Sequence, residues 1–302
     1  MKQWLKSILP ARDLGWNHVQ ATCALSDCHN TLLMRYVPGS RVGIHVGESW
    51  YCSPDCFAMA SRATLSALTA GHVVEMPRNP RLSLGLALLS KGYLNEDQLR
   101  SAMLRTRRQG QNLENTLIDC GLVNDKQLAA ARAVQWGIPV LGQDLVIQTV
   151  VMDLPRGLLS ACGAVPIHYT AKTKRLVLGF VGRVDHSLLQ SIEQITGCRP
   201  EPCFITSSEF AQQFDTLASP QGYEEVVVED TGSAADMART LGGFAVEVSA
   251  REAGYVRCHS SVWARLTGNR GTVDIIFALR RPVMTDVTTN SMFSHEISEV
   301  VG

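Results

Sequence analysis

Nine cysteines stand in the 302-residue chain, and four of them, Cys23, Cys28, Cys52 and Cys56, crowd into one 34-residue window. They run Cys23-Ala24-Leu25-Ser26-Asp27-Cys28, then 23 residues, then Cys52-Ser53-Pro54-Asp55-Cys56. Four thiolates in two close pairs can hold one Zn²⁺ tetrahedrally, provided each pair sits on a tight turn that aims both sulfurs at one ion. With four donors no position is left for a substrate water, so such a metal would be structural. The first pair has four residues between its cysteines rather than the usual two. That leaves open His29 or His45 in place of one ligand, and also four unliganded cysteines or a redox pair. A metal staple suits a segment with so little apolar sequence of its own.

The elements that must position these sulfurs can be read around them. Ser53-Pro54-Asp55 suits a turn that leads into a helix. Phe57, Met59, Ala60, Ala63, Leu65 and Leu68 make residues 57–70 the helix, closed by Gly71. Residues 31–36 and 43–46 read as short strands separated by Pro38-Gly39. Knuckle, hairpin and Cys-turn-helix in that order resemble treble-clef zinc modules, particularly through Tyr51-Cys52-Ser53-Pro54-Asp55-Cys56. Residues 1–76 are therefore expected to form a zinc module. Few Lys or Arg surround it, which favours a protein contact over nucleic acid. The other five cysteines, Cys120, Cys162, Cys198, Cys203 and Cys258, are scattered through apolar stretches and read as small buried hydrophobes. The scatter and odd total argue against a disulfide framework.

A repeat follows the linker Arg78-Asn79-Pro80. Leu84-Gly85-x-x-Leu88-Leu89-x-x-Gly92-Tyr93-Leu94-Asn95-x-x-Gln98-Leu99 recurs 29 residues later as Leu113-Glu114-x-x-Leu117-Ile118-x-x-Gly121-Leu122-Val123-Asn124-x-x-Gln127-Leu128. Leu84, Leu88 and Leu89 share one face of a short helix. Gly92 ends it where a positive φ is wanted. Asn95 with Gln98, and Asn124 with Gln127, carry the reciprocal capping pattern that opens a second helix. Leu99, Met103 and Leu104 give that second helix its apolar face. Arg100, Arg105, Arg107 and Arg108 read as a solvated basic face. Each unit is a helix-turn-helix that must bury its face on the other.

These paired units resemble the N-terminal domain of type II secretion and type IV pilus assembly ATPases. The resemblance extends over residues 82–218. It implies a helical repeat (82–141) followed by a small α/β unit (142–220), together a domain at 77–220. The continuation fits: strands at 164–169, 175–180 and 203–205, a helix at 188–195, and a closing helix at 207–217 capped by Ser207 or Ser208.

Some members of that family bind cyclic di-GMP on the repeat, with an Arg-Leu-Gly start to each unit and leucines framing the ligand. Carried over here, the resemblance implies Arg81, Leu84, Gly85, Leu88, Leu113 and Leu117 as nucleotide-binding positions. The sequence departs from the pattern at the charges: Ser83 and Asn112 stand where the two arginines would be, and Glu114 replaces the second glycine. Losing both guanidiniums removes the contacts that Arg makes best to phosphate and guanine. A packed repeat without a ligand is the expectation, and a degenerate cyclic di-GMP effector the alternative.

Residues 221–302 read as a C-terminal antiparallel α+β unit with a polar tail from 281. A strand at 226–228 leads it. A short helix at 233–241 is ended by Gly242-Gly243, and strands follow at 244–248, 255–258, 262–266 and 273–279. Gly268-Asn269-Arg270-Gly271 forms a hairpin turn. The fold class is thus α+β multidomain: a zinc module, a helical repeat with a small α/β unit, and this last unit.

Lys+Arg and Asp+Glu are both 28, so the formal net charge is zero and no general polyanion binding is indicated. No apolar run reaches transmembrane length and the first ten residues do not read as a signal peptide, so the expectation is a cytoplasmic bacterial protein without membrane insertion. No Gly-x-x-x-x-Gly-Lys-Ser/Thr occurs, nor Gly-x-Ser-x-Gly, His-Glu-x-x-His or Gly-x-Gly-x-x-Gly. His72, His168, His186, His259 and His295 lack ligand spacing in sequence, and Cys258-His259 as adjacent strand residues would face opposite ways. No catalytic residue is assigned. The sequence points to a non-enzymatic adaptor or regulator that docks on a secretion or pilus assembly system through a protein partner.

Overall fold

The computed structural model describes residues 20–33, 43–70, 82–142, 153–217, 220–229 and 232–279. The linker 78–80, the turn Pro38-Gly39 and the tail from 281 lie outside them. The N-terminal part contributes β1 (Gln20–Thr22), β2 (Thr31–Leu33), β3 (Ile44–Val46), β4 (Ser49–Tyr51) and α1 (Pro54–Ala70). The repeat is α2 (Leu84–Ser90), α3 (Glu96–Gln109), α4 (Leu113–Asp119) and α5 (Asp125–Trp136). Then come α6 (Arg156–Ala161), β5 (Ala164–Thr170), β6 (Arg175–Phe180), α7 (His186–Thr196), β7 (Arg199–Phe204) and α8 (Ser207–Thr216). The chain ends in β8 (Tyr223–Val228), α9 (Ala234–Glu247), β9 (Ala250–Cys258), β10 (Ser261–Gly268) and β11 (Gly271–Ala278).

The repeat forms as its residues dictate. Asn95 and Asn124 each accept from the backbone of the glutamine three residues on, which returns a hydrogen bond to the cap's own N–H. Gly92 and Gly121 adopt φ of 67° and 66°, the left-handed turn that separates the helices of each unit. The units interlock: α2 packs on α5, and α3 on α4, around Ala87, Leu88, Leu117 and Ala131. The apolar face expected of α3 differs. Ala102 is its buried residue, whereas Met103 and Leu104 are exposed and line a groove with Leu89, Leu99, Arg100 and Arg107.

In the α/β unit, β5–β6–β7 form a three-stranded sheet, antiparallel between β5 and β6 and parallel between β6 and β7. The cap of α8 is Thr206, not Ser207 or Ser208: its hydroxyl accepts from Glu209 N at 3.1 Å while the Glu209 carboxylate accepts from Thr206 N at 2.8 Å. Ser207 and Ser208 instead donate their backbone N–H groups to Asp125 at the start of α5, at 2.7 and 3.3 Å. That carboxylate fastens the repeat to the α/β unit.

The largest sheet has six strands in the order β4-β3-β9-β10-β11-β8. It is mixed rather than antiparallel: β8 runs parallel to β11, and β3 parallel to β9. For β8 the reason is α9, which crosses the sheet between β8 and β9 and so returns the chain in the same direction. The sequence places a strand at 244–248, but α9 continues through Gly242-Gly243 to Glu247. Tertiary packing overrides the helix-breaking tendency of glycine here, because α9 lies against α1.

The N-terminal segment is therefore joined to the C-terminal unit. Ile44, Phe57 and Leu65 share one core with Met237, Leu241, Ala245, Val262, Val273, Ile275 and Phe277. The pairing expected between residues 31–36 and 43–46 is replaced by two others, β1 with β2 and β3 with β4. The opposite face of the large sheet, through Val256, Cys258, Trp263 and Ile276, packs on Leu188, Leu189 and Ile192 of the α/β unit. Alternation along β10 and β11 sorts their side chains between these two cores. Asp274, fully buried on the second face, accepts from Trp263 Nε1 at 2.8 Å, Arg265 Nη2 at 2.6 Å and Tyr223 O–H at 2.7 Å.

Candidate metal centre

The β3–β4 hairpin and the start of α1 bring the four crowded cysteines together. The chain turns after Cys23, with Cys28 N donating to Leu25 O at 2.9 Å, so four intervening residues close as tightly as two would. Cys23 N donates to Asn30 O at 3.0 Å, and Ala24 N to Trp50 O at 2.8 Å, which fixes this knuckle beside β4. On the other side Ser53 Oγ accepts from Cys56 N at 3.2 Å and Pro54 opens α1. Serine followed by proline suits a helix start, since the first turn's N–H groups lack intrahelical partners.

One sulfur from each of Cys23, Cys28, Cys52 and Cys56 lies within 4.8 Å of the others. Cys28 Sγ and Cys52 Sγ are 3.7 Å apart, and Cys52 Sγ and Cys56 Sγ 3.6 Å. Sulfurs placed ~2.3 Å from a tetrahedral ion are separated by about 3.8 Å, so the donor set fits a four-thiolate metal site. Neither His29 nor His45 belongs to the cluster. The Asn30 side-chain amide donates to Cys52 Sγ at 3.5 Å, and this bond, with the neighbouring thiols, holds the Cys52 thiol down to about 7. At Cys56 the Ser53 hydroxyl opposes the shift, but burial and the three neighbouring thiols push it up to about 12. The cluster thus concentrates negative charge on Cys52, the thiol that touches two others, which is the electrostatics a cation would neutralise.

The residues carried over from the nucleotide-binding resemblance are placed differently. Arg81 lies outside the described residues. Leu88 and Leu117 are fully buried in the core of the repeat, and Leu84 and Leu113 pack against it. Gly85 is where α3 approaches α2: a Cβ there would stand 3.0 Å from Leu99. Ser83 and Asn112 cap α2 and α4 by accepting from Leu86 N and Glu114 N, at 3.3 and 3.2 Å. Glu114 is paired with Arg132, whose Nε donates to it at 3.3 Å and whose side chain is 6% exposed. Its charge is therefore satisfied within the repeat.

A second cluster is formed by residues far apart in sequence. Cys162, Asp185 and His259 also bring one donor atom each within 4.8 Å of one another. His259 stands just past the end of β9 with φ of 53°, so it is not a strand residue beside Cys258. No local spacing announces this group.

No family model matches the chain. Nearly half of it is nevertheless similar to the N-terminal domain of secretion and pilus assembly ATPases. The type IV pilus assembly ATPase PilB of Thermus thermophilus is 30% identical over 143 residues, which is 45% of this chain but 16% of PilB. A solved structure of MshE with c-di-GMP is 23% identical, covers 46% of this chain and all of that one, and has a TM-score of 0.38. The N-terminal domain of XpsE is 21% identical over 45% of this chain and 94% of its own length, with a TM-score of 0.34. Among the described residues no helix is long and apolar enough to cross a membrane.

Proposed function

We propose that the chain is a non-enzymatic adaptor or regulator that docks on a type II secretion or type IV pilus assembly system, with one Zn²⁺ held by Cys23, Cys28, Cys52 and Cys56. The observation that carries this reading is the similarity to PilB over 143 residues, in a sequence with no phosphate-binding loop. Zinc is favoured because four thiolates at tetrahedral separation select a borderline-soft ion over the hard cations. It would fasten the knuckle to the hairpin and to α1, and so fix the edge of the large sheet.

The groove on α3 supplies a docking surface. Met103 and Leu104 stand exposed between Arg100 and Arg107 in a groove that Glu96 also lines, an apolar strip with charges of both signs at its margins that suits an apolar segment of a protein partner. Binding measured by biolayer interferometry against each purified cytoplasmic component of a pilus or type II secretion system tests this. One component should bind, and Met103→Glu with Leu104→Glu should weaken it by ~10-fold or more, about 1.4 kcal/mol. Binding by none of them, or binding that the double substitution leaves unchanged, contradicts the reading.

A further inference from the structure

We propose that Cys162, Asp185 and His259 form a second metal site that takes Zn²⁺ or an ion of like chemistry. Three separate elements supply the donors. Cys162 is the residue that ends α6, Asp185 the cap that begins α7, and His259 belongs to the turn between β9 and β10. Their donor atoms lie within 4.8 Å of one another, close enough for side-chain rotation alone to bring them onto one ion.

Each residue is already held for that task. Asp185 divides its carboxylate: Oδ1 accepts from Leu188 N at 2.9 Å to cap α7, and Oδ2 contacts His259 Nε2. A ligating carboxylate anchored through its second oxygen is a recurrent feature of metal sites. His259 sits in the left-handed region, which histidine tolerates better than most residues but does not favour. Two backbone hydrogen bonds keep it there: its N–H donates to Ser187 Oγ at 3.4 Å, and its carbonyl accepts from Arg257 Nε at 3.2 Å. That conformation sends the imidazole to Asp185, whereas continued strand geometry would turn it to the other face.

The donor set decides the class of ion. A sulfur, an imidazole and a carboxylate suit Zn²⁺, and the sulfur disfavours Mg²⁺ and Ca²⁺. Three protein donors would hold the ion and leave its fourth tetrahedral position open. Position makes the consequence specific. The donors lie on both sides of the seam where the α/β unit packs on the large sheet, so the ion would clamp the ATPase-like half of the chain to the half that carries the four-cysteine knuckle.

Metal content measured on the full chain, purified without chelators, tests this independently of any docking partner. Wild type should carry about two zinc per chain, and His259→Asn and Cys52→Ser about one each. Asparagine is chosen because it adopts positive φ readily, so the turn survives while the ligand is lost. Cobalt loaded into His259→Asn should show the intense thiolate charge transfer of the four-cysteine site alone. If Cys52→Ser fails to fold, the comparison of wild type with His259→Asn still reads the loss of one equivalent. A His259→Asn variant that keeps the full wild-type metal content would overturn the proposal. So would a Cys162–Cys258 disulfide found by mass spectrometry in protein purified with zinc present. Wild type holding a single zinc that His259→Asn removes and Cys52→Ser leaves would support this site while removing the four-cysteine one.

Discussion

Gly242 of α9 rests against Ala58 of α1, so closely that a Cβ at Gly242 would stand 3.1 Å from the Ala58 Cβ. This contact is why a glycine lies inside the helix at position 242: the missing side chain lets two helices from distant parts of the sequence approach, whereas Gly243 faces open space. Helix α9 gives up intrinsic helix stability there and gains burial of Met237, Leu241 and Ala245 over the sheet.

Replacing Gly242 by valine should therefore destabilise the fold, although valine is a better helix former than glycine. Overpacking a tight helix crossing costs about 1–3 kcal/mol, which exceeds the fraction of a kcal/mol gained in propensity. Urea denaturation followed by far-UV circular dichroism measures the change. A neutral or stabilising result would mean that the helices can separate freely and that the shared core is not the basis of this arrangement.

Loss of the four-cysteine site should spread in the same direction. Ile44, Phe57 and Leu65 belong to the core beneath α9, so Cys52→Ser should loosen more than residues 23–56. Hydrogen exchange should accelerate in β9 and α9 as well as in the hairpin, while the interlocked repeat around Leu88 and Leu117 keeps its protection. Acceleration confined to the knuckle would show that the hairpin is an appendage to the sheet rather than part of its core.

The Asp274 carboxylate, with no exposed surface, gives a third test. Arg265 lies over the Trp263 ring at 5.3 Å and donates from both Nε and Nη2 to Asp274, so the pair is bidentate. Tyr223 donates to the same group, and burial followed by the Asp274 charge pushes its own O–H well above the ordinary tyrosine range. Asp274→Ala leaves a largely buried guanidinium unpaired and should cost about 3–5 kcal/mol, whereas Tyr223→Phe should cost only about 1 kcal/mol. Equal effects in a denaturation series would indicate that the hydroxyl, not the ion pair, organises this part of the sheet.

How much of this was legible follows the distance over which each feature is decided. The capping pairs Asn95–Gln98 and Asn124–Gln127 act within three residues, and the repeat they open is as the sequence implies. The hairpin from Gly268 to Gly271 is likewise local. Helix α9 is not legible from local sequence because Gly242 answers to Ala58, 184 positions earlier, and not to its neighbours. The pairing of β3 with β9 was hidden for the same reason. Of the candidate sites, Cys52 and Cys56 announce themselves by spacing, while Cys162, Asp185 and His259 meet only because two cores press the sheet against the α/β unit. Met103 and Leu104 have helical spacing that reads as core, yet α3 buries Ala102 instead.

The last prediction concerns the ligand that the repeat's resemblance brings into view. Restoring the arginine-leucine-glycine pattern means Ser83→Arg, Asn112→Arg and Glu114→Gly, and the structure assigns a price to each. Ser83 and Asn112 are helix caps, and losing a cap costs about 1 kcal/mol. Glu114→Gly strands the guanidinium of Arg132, which is almost fully buried, and should cost about 3 kcal/mol. The side chains at these three positions make contacts that stabilise the repeat itself. Wild type is expected to bind cyclic di-GMP weakly or not at all in a calorimetric titration, because two charge-assisted contacts are missing, each worth about 1.5–3 kcal/mol. The triple variant should unfold at lower urea than wild type, and Glu114→Gly alone should account for most of the loss. Submicromolar binding by wild type would reverse this reading and make the repeat a nucleotide sensor. Glu114→Gly without effect on stability would show that Arg132 finds another partner, and that the groove tolerates a return to the ligand-binding pattern.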